Sequence, residues 1–190
     1  MPTYYFSDTQ FTPSNVRDLL FTEVEFEDCE FDGCPFIESD LTNTTFTNCT
    51  FRSCDLSQSK LRNTAFRNVR FIDCKLLGLR FDQSNTFQLE LGFEQCRLDY
   101  SSFYGLNLSN TDFISCQMHE VELVEANLQQ SNLSNSDLLD AAFGNTNLNG
   151  ANLTTAYNFI LNPNENSLNK TRVSLSGLPG LLTTFNLQVE

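Results

Sequence analysis

Cysteine and histidine are the side chains best suited to metal binding or nucleophilic chemistry, and this chain has seven of the first and one of the second. Cys29/Cys34 and Cys49/Cys54 look like paired ligands or disulfide partners. All seven cysteines (Cys29, Cys34, Cys49, Cys54, Cys74, Cys96, Cys116) fall, however, at one position of a five-residue repeat, where a short side chain is required. They therefore read as buried, reduced thiols used as small apolar residues. The odd count and the lack of a signal-peptide pattern fit a reducing cytoplasm. The lone His119 follows a core position, Met118, and is expected to point outward with no catalytic role. The acids have no His or Cys partner and no phosphate-binding glycine motif is present, so neither enzyme activity, metal nor cofactor is expected.

The element that must position these residues is the repeat itself. A large apolar residue returns at every fifth place, as Phe21, Phe26, Phe31, Phe36, Leu41, Phe46, Phe51, Leu56, Leu61, Phe66, Phe71, Leu76 and Phe81. A helix needs a period of about 3.6 and a half-buried strand one of about 2, so neither explains the series. A period of five belongs to a chain that bends the same way after each unit and stacks on itself as a solenoid. Two places before each large residue stands a mostly small one, including Val24, Ser39, Thr44, Ser59, Thr64, Val69 and the cysteines. A narrow coil filled by a ring of Phe or Leu leaves room near its corners only for short side chains. The three remaining positions are mainly polar and face water. The repeat also accounts for eighteen Phe and no Trp, because one slot is filled repeatedly by the same shape.

A small residue two places ahead of a central Phe or Leu resembles the pattern of the pentapeptide-repeat family, from Phe21 to Leu153 with one interruption. The resemblance implies an all-β fold, a right-handed quadrilateral parallel β-helix with four units and about twenty residues per coil. Residues 1–20 keep the register through Phe6, Phe11 and Val16 and are expected to form a cap or first coil. The first β-helix half spans 21–81. Between Phe81 and Phe93 the spacing is twelve instead of ten, which places a two-residue insertion in 82–92. That segment is expected to be a connecting loop or bulge, with Asn85, Thr86 and Phe87 as an exposed contact. The second half, 93–153, restarts cleanly with Phe93, Leu98, Phe103, Leu108, Phe113 and Met118. In 154–190, Asn162–Asn166 reads as a loop, Leu178, Leu181, Leu182 and Phe185 fall at helical spacing, and Asn186–Glu190 alternates like a strand. A short helix and strand there must cover the last coil or pair with another copy.

Charge is banded along the chain. The formal net charge of −13 argues against direct binding to nucleic acid or an anionic membrane, and for a basic partner or simple solubility. Through residue 51 ten acids stand against Arg17 alone, and between Asp82 and Leu153 ten stand against Arg97 alone. Between them lies a basic belt: Arg52, Lys60, Arg62, Arg67, Arg70, Lys75 and Arg80 against Asp55 and Asp73. With twenty residues per coil, Asp40, Lys60 and Arg80 stack, so part of the belt relieves repulsion within a ladder. No apolar run approaches the roughly 18 residues of a membrane span.

The segments Asn68–Gly78, Leu98–Leu106 and Val173–Pro179 look like those of the albicidin- and microcin-immunity proteins and, more distantly, of the Qnr quinolone-resistance proteins. That group protects DNA gyrase and topoisomerase IV from poisons, and its members are proposed to act as acidic rods that imitate duplex DNA. The resemblance implies a cytoplasmic bacterial protein whose partner is gyrase or topoisomerase IV. Its contact surface would be Glu23, Glu25, Glu27, Asp28, Glu30, Asp32, Glu94, Asp99, Asp112, Glu120, Glu122 and Glu125. It also implies a homodimer formed through Leu178, Leu181, Leu182, Phe185 and Leu187. The chain lacks the long projecting loops of the Qnr pattern, and its basic belt departs from a uniformly DNA-like surface. The rival reading is a binding or scaffolding module with an unrelated protein partner, because the repeat encodes fold and not function. An ice- or carbohydrate-binding face would need aligned Thr or aromatic ladders, and the exposed Thr residues do not line up.

Overall fold

The structure, a computed structural model, describes residues 4–16, 19–185 and 187. Over them the chain winds into a parallel β-solenoid of about eight turns. The first wall stacks β1 (Tyr4–Ser7), β3 (Val24–Glu27), β5 (Thr45–Thr47) and β7 (Ala65–Arg67). The second stacks β2 (Gln10–Phe11), β4 (Glu30–Asp32), β6 (Thr50–Arg52), β8 (Val69–Ile72), β9 (Leu91–Glu94) and β10 (Phe113–Ile114). Register sets ring on ring, Phe6 against Phe26, Phe46 and Phe66, and Phe11 against Phe31, Phe51 and Phe71. Rings within a column stack, with centroids 4.6 Å apart and planes at 9° for Phe31 and Phe51. Rings of neighbouring columns meet edge-on, at 5.2 Å and 72° for Phe46 and Phe51. These are the two arrangements that the ring quadrupole favours. The third wall (Phe36, Leu56, Leu76, Leu98, Met118, Leu138) and the fourth (Leu41, Leu61, Phe81, Phe103, Leu123) are equally buried. They are linked by isolated bridges such as Asp55 to Lys75 and Asp40 to Lys60.

Most corners turn through a residue two places after the central one whose φ is positive, among them Glu23 (63°), Asn43 (60°), Asn63 (55°) and Asp140 (56°). Asn and Asp tolerate this region better than other side-chain-bearing residues, which explains their frequency there. After a central Leu, the amide three places on closes the turn, as Thr44 N–H does to the Leu41 carbonyl at 3.0 Å. That bond and the positive φ are those of a type II turn. Small residues in the inward slot do more than save space. Their hydroxyl or thiol groups donate to a carbonyl of the coil before, as Thr64 Oγ1 does to Leu41 O at 2.7 Å, Ser59 Oγ to Phe36 O at 2.6 Å and Cys54 Sγ to Phe31 O at 3.3 Å. A carbonyl that sits too far inside to meet water thereby gains a partner.

Within 82–92 the register shifts. Ala65 pairs twenty residues on with Asn85, whereas Val69 pairs with Leu91 and Phe71 with Phe93, twenty-two on. The two extra residues bulge from the first wall. Leu89 packs partly inward after Phe66, and Phe87 is left 66% exposed. The ring columns of the second and fourth walls run past the bulge unbroken, at 5.5 Å for Phe71–Phe93 and 4.7 Å for Phe81–Phe103.

Both ends are closed by short elements. α1 (Pro13–Val16) turns the first coil and buries Val16. At the far end β11 (Asn152–Leu153) pairs with β12 (Arg172–Val173), and α2 (Pro179–Leu182) follows, flanked by 3-10 turns at Leu175–Gly177 and Thr183–Phe185. This segment sits on Phe159 through two glycines. A Cβ on Gly180 would come within 2.1 Å of the Phe159 carbonyl oxygen, and one on Gly177 within 2.9 Å of its ring. The strand read over Asn186–Glu190 lies outside the described residues except for Leu187, which is exposed and in no regular element. Among the described residues no helix is long and apolar enough to cross a membrane.

Candidate partner-binding surface

Stacking by register decides which acids share a wall. Glu25, Glu27 and Asp28 belong to β3 and its corner on the first wall, and Glu30 and Asp32 to β4 on the second. They form one patch wrapped around a single edge of the second coil. Glu27 also accepts a hydrogen bond from Tyr5 Oη at 2.5 Å, which raises the Tyr5 pKa. Glu120 follows the third wall, while Glu122 and Glu125 lie on the fourth, Glu122 in the column Arg80, Ser102, Glu122, Ala142. The two acidic patches therefore face opposite sides of the rod. Glu23 lies at a fourth-wall corner, whereas Glu94 and Asp112 lie on the second wall, Glu94 above Ile72 and Asp112 above Gly92 and Arg70.

Asp99 does not belong to an accessible surface. It is only 3% exposed, and its carboxylate accepts from Gln117 Nε2 at 2.9 Å, His119 N–H at 3.1 Å and Arg97 Nη2 at 3.3 Å. The coil above folds its polar side chains over it. His119, expected to point outward, is instead part-buried, with Nε2 2.8 Å from Asp137 Oδ2. Asn158 donates to the other oxygen of Asp137 at 2.7 Å. Burial works to raise the Asp137 pKa, but the hydrogen bonds from His119 and Asn158 outweigh it and hold the carboxyl below its usual range. The network is a stitch between successive coils of the third wall.

The basic belt girdles all four walls. Lys60 pairs with Asp40 at 3.7 Å, Lys75 with Asp55 at 3.9 Å and Arg80 with Asp82 at 2.7 Å. Arg52, Arg62, Arg67 and Arg70 make no salt bridge among the described residues. Arg67 and Arg70 line a groove of about 710 Å³ at the bulge, together with Glu90, Glu94 and Asp112. Within the bulge, Asn85 is tied down, donating to Asn63 Oδ1 at 3.1 Å and accepting from Phe87 N–H at 2.9 Å. Thr86 and Phe87 are thus the free tip, with Asn85 as the base. At the C-terminal end Leu178, Phe185 and Leu187 are exposed, Leu182 is half-buried, and Leu181 packs against the core. Leu175, which the helical spacing did not single out, is the most exposed of them.

All seven cysteines are free and buried. Burial pushes the thiols of Cys49 and Cys116 up to about 12, so both are protonated near neutrality. Among the described residues, no three His, Cys, Asp or Glu side chains converge on a point that would hold a metal ion.

A coil of five-residue units with ring-filled walls and small inward donors defines a class of protein, and the sequence pattern of the pentapeptide repeat region matches residues 24–92, 44–108 and 89–153. The chain belongs to the pentapeptide-repeat family. Among solved structures it is similar to QnrB1, described as a plasmid-mediated fluoroquinolone resistance protein. Two trypsin-treated variants of that protein align over 98% of both chains, with TM-scores of 0.65 and 0.64 at 18% identity. The full-length form aligns over 96% of this chain and all of its own, at a TM-score of 0.56 and 16% identity. At that identity the likeness is one of fold. No curated protein sequence matches the chain closely enough to count as a relative.

Proposed function

We propose that this protein binds DNA gyrase or topoisomerase IV as an acidic, DNA-mimicking rod and protects the enzyme from a poison, without catalysis of its own. The supporting observation is the placement of charge. About eight coils rising about 4.8 Å each give a rod of roughly 38 Å, with exposed acids on the edge between its first and second walls and, on the opposite side, Glu120 and Glu125 exposed beside the half-buried Glu122. A saddle that grips duplex DNA from more than one side meets charge in the same way. Thr86 and Phe87 supply an additional contact at the bulge. The exposed Leu175, Leu178 and Phe185 make the C-terminal end a two-fold contact that doubles the rod. The division into two half-rods about residues 82–92 belongs to this reading, one half for each acidic patch.

The belt favours a second reading, a scaffold whose partner is unrelated to topoisomerases, because four arginines that form no salt bridge among the described residues interrupt a DNA-like surface. Supercoiling by poisoned gyrase separates the two. The first reading expects the protein to restore supercoiling and to bind gyrase at low salt, with binding weakened as salt rises. Failure to bind either enzyme at low salt leaves only the scaffold. Leu178→Asp combined with Phe185→Asp is expected to give a soluble monomer by light scattering; an unchanged dimer would assign the contact elsewhere.

A further inference from the structure

Five of the seven cysteines form one column. Cys34, Cys54, Cys74, Cys96 and Cys116 each precede, by one residue, the bridged series Pro35, Asp55, Lys75, Arg97 and Gln117, so they occupy the same slot on five successive coils. Cys29 and Cys49 start the neighbouring column, which continues as Val69, Leu91 and Thr111. Adjacent rungs of a parallel stack are about 4.8 Å apart, and every side chain in a column points the same way. The thiols share one orientation along the row: Cys54, Cys74 and Cys96 Sγ donate to the carbonyls of Phe31, Phe51 and Phe71 at 3.3 to 3.4 Å, and Cys34 N–H reaches Cys54 Sγ at 3.3 Å.

Packing does not require sulfur here. On the next coils the same slot holds Ser136 and then Ala156, both buried, and Ser136 Oγ donates to Phe113 O at 2.8 Å just as the thiols donate to their own carbonyls. The fold asks for a small residue and accepts a hydroxyl, yet five consecutive coils carry a thiol. With no three ligands converging, the tetrahedral sites of zinc are ruled out. A row offers pairs instead, one sulfur above and one below. A metal–thiolate bond is about 2.3 Å, so an ion held in a line between two sulfurs needs them about 4.6 Å apart, close to the rung spacing. Soft ions such as copper(I) and silver(I) accept two thiolates in this geometry, and thiolate ligands select them.

We propose that the Cys34–Cys116 column binds copper(I) in linear coordination between successive sulfurs, with Cys54, Cys74 and Cys96 at its centre. Two ions shared by those three residues displace three thiol protons to solvent, and no electron is transferred. The three thiolates and two cations leave the row one unit more negative than the neutral thiols. This proposal is independent of the topoisomerase reading and survives its failure.

The test is an anaerobic titration of the reduced, full-length protein with copper(I) against a coloured copper(I) chelator, followed by thiolate-to-copper absorption in the near ultraviolet and by native mass. The wild type is expected to take up ions while folded and to melt at a higher temperature with them bound. C54S/C74S/C96S keeps a donor for each carbonyl and should lose both the absorption and the stabilisation, whereas C29S/C49S should keep them. Should the triple variant not fold, C74S decides, since it interrupts the row and lowers the number of ions bound. Equal uptake by wild type and C74S, uptake only after unfolding, or none at all would overturn the proposal.

Discussion

The two halves of the rod share one period and one set of slots but are held together differently. In residues 21–81 the first and second walls carry Phe, the flanking residues extend into β3 to β8, and corners such as Asn48 donate across to the next coil, to Arg67 O at 2.8 Å. In 93–153 Leu takes over these walls, at Leu108 on the first and Leu133 on the second. There the corner amides still donate across, Asn110 N–H to Gln129 O at 2.9 Å, but each turn also closes on itself, Thr111 N–H to Leu108 O at 3.1 Å and Ser136 N–H to Leu133 O at 3.2 Å, and strands give way to isolated bridges. Outward residues differ as well. The earlier half has amide ladders at its corners, Asn43–Asn63 at 2.8 Å and Asn48–Asn68 at 2.9 Å, whereas the later half lines the first and second walls themselves with them, Asn107–Asn127–Asn147 and Asn132–Asn152, at 2.9 to 3.1 Å per step. Its acids Glu120, Glu122 and Glu125 lie on the other two walls, and the exposed Glu94 and Asp112 lie on the second. The same inward code therefore supports two wall types, and the outward positions are free to carry different surfaces.

The comparison is sharpened first by truncating one core residue in each half. Phe51→Ala removes a ring stacked on Phe31 and Phe71, at 4.6 and 5.0 Å, and is expected to cost about 4 kcal/mol. Leu133→Ala should cost about 3 kcal/mol. Urea denaturation of both variants checks the order; if Leu133→Ala costs as much, ring stacking adds nothing to burial. Next, Gly180→Ala drives a Cβ into the Phe159 carbonyl and is expected to cost about 2–3 kcal/mol by lifting the cap from the later half. Hydrogen exchange should then speed up around Leu153–Leu161 and leave 21–81 unchanged.

A smaller effect belongs to the inward donors. Thr64→Val keeps the shape but takes the hydroxyl from Leu41 O, which retains only the Thr44 amide, and about 1 kcal/mol should be lost. Ala126 has no such donor, so Ala126→Ser is expected to be neutral or slightly stabilising; a large loss would show that volume alone governs the slot. The smallest effect is that of acid. The folded pKa of Asp137 lies below its unfolded value of about 3.9, so its contribution is complete above that value and is lost as pH falls through the folded one. Melting curves from pH 5 downward should show Asp137→Asn with a flatter acid limb than the wild type.

Much of this was legible in the sequence, because a repeat writes its core residues at fixed intervals. The inward positions, the insertion at 82–92 and the burial of all seven thiols follow from counting in fives. What was missed needs the third dimension. Assigning acids to opposite sides requires counting by twenty and then allowing twenty-two at the bulge, and linear charge bands hide it. Asp99 looks like any outward acid until Gln117 and His119 of the next coil close over it, a contact between residues far apart in the chain. The donor role of Thr64 and Ser59 is invisible to an argument from volume, since Ala fits the same slot. Leu181 shares the helical spacing of Leu178 and Phe185, yet it turns inward because the glycines let its segment lie close on Phe159.

The central claim is that an acidic rod takes the place of nucleic acid on its partner, and displacement measures this most directly. Labelled duplex DNA bound to gyrase at low salt should be released as the protein is added, less so at high salt. A variant with Glu27, Asp28, Glu30, Glu122 and Glu125 all changed to Lys should release none. DNA and protein found together on the same enzyme, neither weakening the other, would contradict the account.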